Sequence, residues 1–379
     1  MTESPEAHER LHRKRLFYLL GSGAIAIMLL VIGTYDLLEY MESPEFCGQV
    51  CHVEHYPEWT VYKESTHSEV SCTECHIGSG ASYLVKSKIS GVPQIFSTLF
   101  HTYEKPFATP LVDLRPARDT CEQCHRPERF SGDLVRYYTT HLEDRKNTPT
   151  TKAVGFKVGG GQSEVASGIH WHIAAELWYL PLDDKRQEIA WAGVVDSDGD
   201  TKEFINPDKA DELTPELIKA GKRQMDCIDC HNRSTHVFNS PEFLIDKALS
   251  GGQIDNSLPY ISKKGLAALD PINANIEQAN TKVEIIRNFY ETNYPDIYVE
   301  KADQIDKAIE ELKHIAVLTT FPIMEATWET HINNLSHDGC ARCHGTLETE
   351  IGNESIGAVP TDTGDIAYTE DCELCHFRP

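Results

Sequence analysis

Twelve cysteines constrain this 379-residue chain more than any other feature: they fall into six pairs, each followed at once by a histidine. Five units have two residues between the thiols. They are Cys72, Cys75 and His76; Cys121, Cys124 and His125; Cys227, Cys230 and His231; Cys340, Cys343 and His344; and Cys372, Cys375 and His376. C-x-x-C-H is the attachment sequence for c-type haem. Both thiols add to the haem vinyl groups, and the adjacent imidazole is thereby held beside the iron. Zinc sites and disulfides are the competing uses of paired cysteines, but five repeats of one gap with no cysteine left over argue against both. The remaining unit, Cys47-Gly-Gln-Val-Cys51-His52, has one residue more. The added residue bulges the loop yet can still present both sulfurs, a disulfide or an unmodified pair being the alternative. Six covalently bound haems c are therefore expected. Three motifs crowd into residues 43–130, leaving little chain for a protein core, so haem should fill much of that interior, wrapped by short helices and loops with little sheet.

Ahead of the first motif, Leu16 to Tyr35 carry no charged side chain, and about 20 apolar residues suffice to cross a bilayer as one helix. Arg10, Arg13, Lys14 and Arg15 precede this run, and basic flanks tend to stay in the cytoplasm. Residues 1–15 are thus expected as a cytoplasmic tail and 16–36 as the anchor. The remainder would lie on the periplasmic side of a bacterial inner membrane. A cleaved signal peptide has a shorter apolar core and a small-residue cut site, whereas here Asp36-Leu-Leu-Glu-Tyr40 follows. Tyr35 and Tyr40 suit the outer interface. With 35 Lys+Arg against 59 Asp+Glu, the formal charge is −24, which excludes nucleic acid as a partner and favours partners with basic patches.

Residues 142–213 lack cysteine. Val158-Gly159-Gly160-Gly161 reads as a loop without the Gly-Lys-Ser/Thr ending of a phosphate cradle. Glu188–Val195 and Lys202–Ile205 flank the Asp-Gly of residues 196–200 as a hairpin, and EF-hand spacing is absent there. Helices return with Thr214-Pro and Ser240-Pro as caps; the second should stop near Gly251-Gly252. Ile305, Ile309, Leu312 and Ala316 form one packing stripe over 302–317. The fold class is mainly α with much irregular structure: one N-terminal transmembrane helix, a haem-packed multihaem cytochrome domain and a small β-hairpin insertion.

Eighteen histidines are present. Low-spin electron-transfer haems take a second strong axial ligand, and neutral imidazole is one. Outside the motifs and the tail, ten histidines compete for at most six such positions. His67, just before motif two, and His236, five residues after motif four, are the first candidates. His331 and His337 are placed to serve the terminal haems. His141, His170 and His172 share two ligand roles among them; if the segment is extended, His170 and His172 face one side and reach neighbouring irons. The alternative is a polar pair flanking Trp171. His101 and His314 suit a surface as well. His55 stands three residues beyond His52, roughly on the same side of any helix there, so both can hardly bind one iron from opposite faces.

Over about residues 10–238 the chain resembles the NapC/NirT/NrfH family of membrane-anchored quinol dehydrogenases. The features are the single anchor with motif one directly after it and the run Thr66-His67…Cys72-Thr-Glu-Cys75-His76. The lysine-bearing stretch YLVKSKISGVPQIFSTLF follows, then Cys121-Glu-Gln-Cys124-His125, and last Cys227-Ile-Asp-Cys230-His231-Asn-Arg-Ser-Thr-His236. The resemblance implies a tetrahaem domain over 37–239, interrupted by the 142–213 insertion, with a helical dihaem extension over 240–379. That larger layout resembles inner-membrane multihaem cytochromes of metal-respiring bacteria. Two positions depart from the family: Glu54 stands where many relatives carry a methionine ligand, and Gln94 where they carry an acid. The resemblance also implies a quinol site between the anchor and the first haem. Glu54, His55 and Glu42 are candidate proton acceptors there, and Lys86 or Lys88 a hold on a quinone oxygen; a solvated surface role is the alternative for each.

The function so implied is oxidation of quinol, menaquinol in the first place, with electrons passed to periplasmic redox proteins such as other c-type cytochromes in anaerobic respiration. Two other classes compete. A non-enzymatic electron wire or store would be fed by another protein. A nitrite- or hydroxylamine-type reductase would keep an open iron, but no Cys-x-x-Cys-Lys motif is present.

Overall fold

A computed structural model of the chain describes residues 5–51, 53–78, 81–107, 115–161, 167–195, 199–270, 273–349 and 370–379. One helix, Pro5–Met41, carries the apolar run without a break. Its Arg13–Met41 stretch is long and apolar enough to cross a membrane, and none of its most apolar window is buried against the rest of the protein. A core helix of a soluble domain would bury a stripe; this one leaves its whole circumference for lipid.

The motif-rich stretch that follows is built from short pieces, with no strand among the described residues up to 133. A π-helical turn, Phe46–Cys51, holds motif one, and the helices Tyr56–Lys63 and Cys72–His76 come next. The three-residue gap of Cys47–Cys51 is thus accommodated as a wide turn, the usual way for a helix to absorb one extra residue. Helix Ala81–Phe100 then stands nearly alone on the surface.

Sheet is more extensive than a single hairpin. Strands β1 (Leu134–His141) and β2 (Pro149–Phe156) pair antiparallel, and β8 (His376–Phe377) joins β2. A second sheet has the order β6-β3-β4-β5-β7, made from Glu176–Pro181 (β3), Ile189–Val195 (β4), Thr201–Ile205 (β5), Arg223–Gln224 (β6) and Glu348–Thr349 (β7). The expected hairpin is β4–β5, with Val195 opposite Thr201. β1–β2, β3–β4 and β3–β6 pair within residues 134–224, whereas β7 and β8 add the C-terminal tail to the two sheets.

Between motifs four and five, four helices enclose a core of their own: Pro241–Gly251, Ile261–Leu269, Ile276–Asn293 and Ala302–Thr319. Ser240 caps the first by accepting the Phe243 N–H, and Gly252 ends it at φ 76°, where glycine carries no Cβ penalty. Ile305, Ile309, Leu312 and Ala316 are fully buried along the last. The two isoleucines and the leucine each contribute about 1.5–3 kcal/mol by leaving water, and the alanine methyl about 0.8 kcal/mol.

Candidate metal centres

Local capping sets the motif cysteines. Motif two opens a helix whose N-cap is Ser71, with Glu74 reaching back to the Ser71 N–H. Motif four opens on Asp226, whose carboxylate accepts from Ile228 N–H at 3.0 Å. Within that motif Asp229 is buried, accepting from Tyr179 Oη at 2.5 Å with Arg186 and Arg223 at 3.6 and 3.8 Å. Such partners offset the cost of burying a carboxylate.

Five motif histidines each face a second imidazole. Ring centres are 6.3 Å apart for His76 and His236, 6.0 Å for His125 and His67, and 6.3 Å for His231 and His170. They are 5.8 Å apart for His344 and His172, and 6.0 Å for His376 and His337. Two imidazoles bound to one iron from opposite faces, each at about 2 Å, put their ring centres roughly 6 Å apart. The donor sets therefore fit haem iron. Zinc fits poorly: among the described residues no three His, Cys, Asp or Glu side chains gather as a metal site, and no disulfide joins the eleven cysteines whose side chains are described.

Tautomers agree with this geometry. Nδ1 of His236, His172 and His376 lies 3.0, 2.8 and 3.0 Å from the carbonyls of Glu58, Ile169 and Gly155. A proton held there leaves Nε2 for a metal. Burial pushes His236 down to about 4, and burial also lowers His76, His170, His231 and His337, keeping the imidazoles neutral as ligation requires. His170 and His172 reach different partners because the segment is not extended: Trp171–Ala174 is a helical turn with His170 as its N-cap. Gly159, Gly160 and Gly161 all take positive φ nearby. A Cβ on Gly160 would meet Phe130 at 2.6 Å, and the Phe130 ring lies 4.9 Å from that of His170.

Other candidates lie elsewhere. His141 is buried with Nδ1 3.1 Å from Asp246, tying β1 to the Pro241–Gly251 helix. His331 is buried against Phe238, ring centres 4.2 Å apart, with Nε2 3.8 Å from Glu58. His314 is exposed, 3.7 Å from Glu64, and His101 is exposed just past the end of the Ala81–Phe100 helix.

At the membrane end, His52 and the Cys51 side chain lie outside the described residues. Gly48 is pressed on Trp59, where a Cβ would come within 2.3 Å of the ring. Glu54 is 7% exposed and its Oε2 has no hydrogen-bond partner. The His55 ring stacks on Phe107 at 4.5 Å. The Cys47 thiol is held down to about 7, first by its hydrogen bond with Cys72 and further by the charge of Lys88, which therefore lies near motif one; Lys86 is exposed. Glu58, missed in the sequence, lines the same region: burial opposes its ionisation, while His331, His55 and His236 hold its carboxyl low overall. Its four-residue spacing from Glu54 was the available signal.

Neighbouring motifs act on one another in chain order. Cys72 lowers the Cys47 thiol and Cys227 lowers the Cys121 thiol, and Ala117 N–H, just before motif three, donates to Asp226 at motif four at 3.4 Å. Cys75 is raised by burial and then by Cys121. Cys230 is pushed up to about 12 by burial and then by Cys340, which also acts on Cys375.

Haem-attachment motifs lined up behind a membrane-crossing helix define a membrane-anchored multihaem c-type cytochrome. The chain belongs to the NapC/NirT cytochrome c family. That family's N-terminal region matches residues 10–108. The cytochrome c-type protein ImcH of Geobacter sulfurreducens is 39% identical over 373 residues, 96% of this chain and 71% of that protein. No solved structure matches the chain.

Proposed function

We propose that this cytochrome oxidises quinol, menaquinol in the first place, at the membrane end of the chain, and delivers electrons to periplasmic acceptors such as other c-type cytochromes. The observation that carries the reading is the set of contacts joining successive motif segments. Arg115 donates to the Ile77 carbonyl beside motif two at 3.3 Å, Ala117 N–H donates to Asp226 at motif four at 3.4 Å, and Arg342 of motif five donates to the Asp229 carbonyl at 2.7 Å. Six haems c, held by the twelve cysteines and six motif histidines, supply one-electron carriers when bound. His236, His67, His170, His172 and His337 are the second ligands of motifs two to six in turn. The cytoplasmic placement of the N-terminus follows from the basic cluster at Arg10–Arg15, which puts the cysteine-bearing part in the periplasm.

Quinol oxidation also releases two protons, so the site needs acceptors at the ring oxygens. The unpartnered carboxylate oxygen of Glu54 suits one, and His55 stands beside it for the second. Lys88, or in its place Lys86, holds a quinone oxygen by a charge-assisted hydrogen bond. Glu54 occupies the position of a methionine ligand in relatives, so this chain exchanges a soft ligand for a proton acceptor near motif one.

Anaerobic mixing with a menaquinol analogue tests the reading. Wild-type protein is reduced rapidly, whereas Glu54→Gln and Lys88→Ala are slowed about 10²-fold while dithionite still reduces them fully. Wild-type rates in both variants would remove these residues from the site. A wild type reduced by dithionite but not by quinol would be a wire fed by another protein.

A further inference from the structure

Soluble helices turn their apolar side inward, and Ala81–Phe100 does the reverse. Val85, Ile89, Val92, Phe96 and Leu99 recur at alternating spacings of four and three along one stripe. Their exposure runs from 48% at Val92 to 68% at Ile89. The half-buried side carries Ser87, Gly91, Ser97 and Thr98 instead. Ile95 and Phe100 extend the exposed face, a contiguous apolar patch of the kind that marks an interaction surface.

We propose that this helix is a second membrane contact, lying flat in the leaflet from which the anchor emerges, with its apolar stripe among the acyl chains. Position favours lipid over a protein partner. Cys47 Sγ lies 3.9 Å from the carbonyl of Met41, the last anchor residue, and Lys88 acts on that same thiol. The first half of this helix therefore lies near the C-terminal end of the Pro5–Met41 helix. Lys86 is exposed beside the stripe, where a long basic side chain reaches headgroups while its stem stays apolar. At the other side of the helix start, the Arg115 guanidinium sits 3.8 Å over the Tyr83 ring and donates to the Ile77 carbonyl at 3.3 Å, fixing the helix to the motif-two segment. The anchor thus acts with a surface helix, and rotation of the cytochrome about the anchor axis is restrained. This inference rests on the exposed stripe and its place near the anchor, and stands or falls apart from quinol oxidation.

The test uses full-length, haem-loaded protein in nanodiscs of phosphatidylcholine and phosphatidylglycerol, doped with a phosphatidylcholine bearing a diazirine near the glycerol end of one acyl chain. After irradiation, mass spectrometry should find lipid adducts on residues 83–100 at a yield within about tenfold of that on the anchor. Adducts confined to the anchor would overturn the proposal. Cross-links from residues 83–100 to a second copy of the chain, in place of lipid, would also overturn it and identify a dimer face.

Discussion

His331 and His337 share one short segment, yet among the described motif histidines one stands opposite His337 and none opposite His331. The difference is backbone: His337 begins the helix that carries Cys340, whereas His331 is turned against Phe238. Replacing His172 or His337 with alanine should convert one low-spin iron to high spin, read as a new low-field EPR signal with the other signals unchanged. His141→Ala should leave every haem signal alone and cost about 1–3 kcal/mol, because Asp246 loses a buried partner. A changed EPR spectrum in His141→Ala would contradict this division. Motif histidines were legible at once because attachment fixes them in sequence. Distal partners were legible only as a pool, since His76 and His236 meet through the fold, and no local spacing encodes which iron an imidazole reaches.

Caps and stripes made the helices of residues 241–319 readable, from Ser240 through Gly252 to the stripe ending at Ala316. Leu312→Ala should destabilise that unit by about 2–5 kcal/mol, seen as a lower midpoint in thermal circular dichroism; the Gly265 backbone, under Leu312, leaves little chain to fill the hole. An unchanged midpoint would mean the stripe is not core. Glu284 bridges to Lys313 at 2.7 Å, joining two of these helices. The Lys313 hydrogen bond, opposed by slight burial, holds the Glu284 carboxyl low. Its contribution is therefore fully present above the ordinary carboxylate range and lost as pH falls through the folded value. Being exposed to solvent, the pair contributes only about a few tenths of a kcal/mol. Glu284→Gln should lower the melting temperature slightly at neutral pH and converge with wild type in acid; a constant offset would show that the carboxylate's charge is not involved. The two-residue strands β6, β7 and β8 escaped the sequence because tertiary approach, not propensity, decides such pairings.

Across the whole molecule, the anchor, the motif series and the acidic surface act together. The span and attachment sites were plain in the chain, while the contiguity of the sites was not, since it depends on Ala117 meeting Asp226 across the 142–213 insertion. The tail motifs are joined to the rest by β7 and β8, so the C-terminal sites share a frame with motifs three and four. Near-infrared magnetic circular dichroism of the fully loaded protein, with haem counted by pyridine haemochrome, tests this arrangement most directly. The irons of motifs two to six should show bis-imidazole low-spin bands, at least five in all. Fewer than five would contradict the histidine pairing on which the ordered electron path depends.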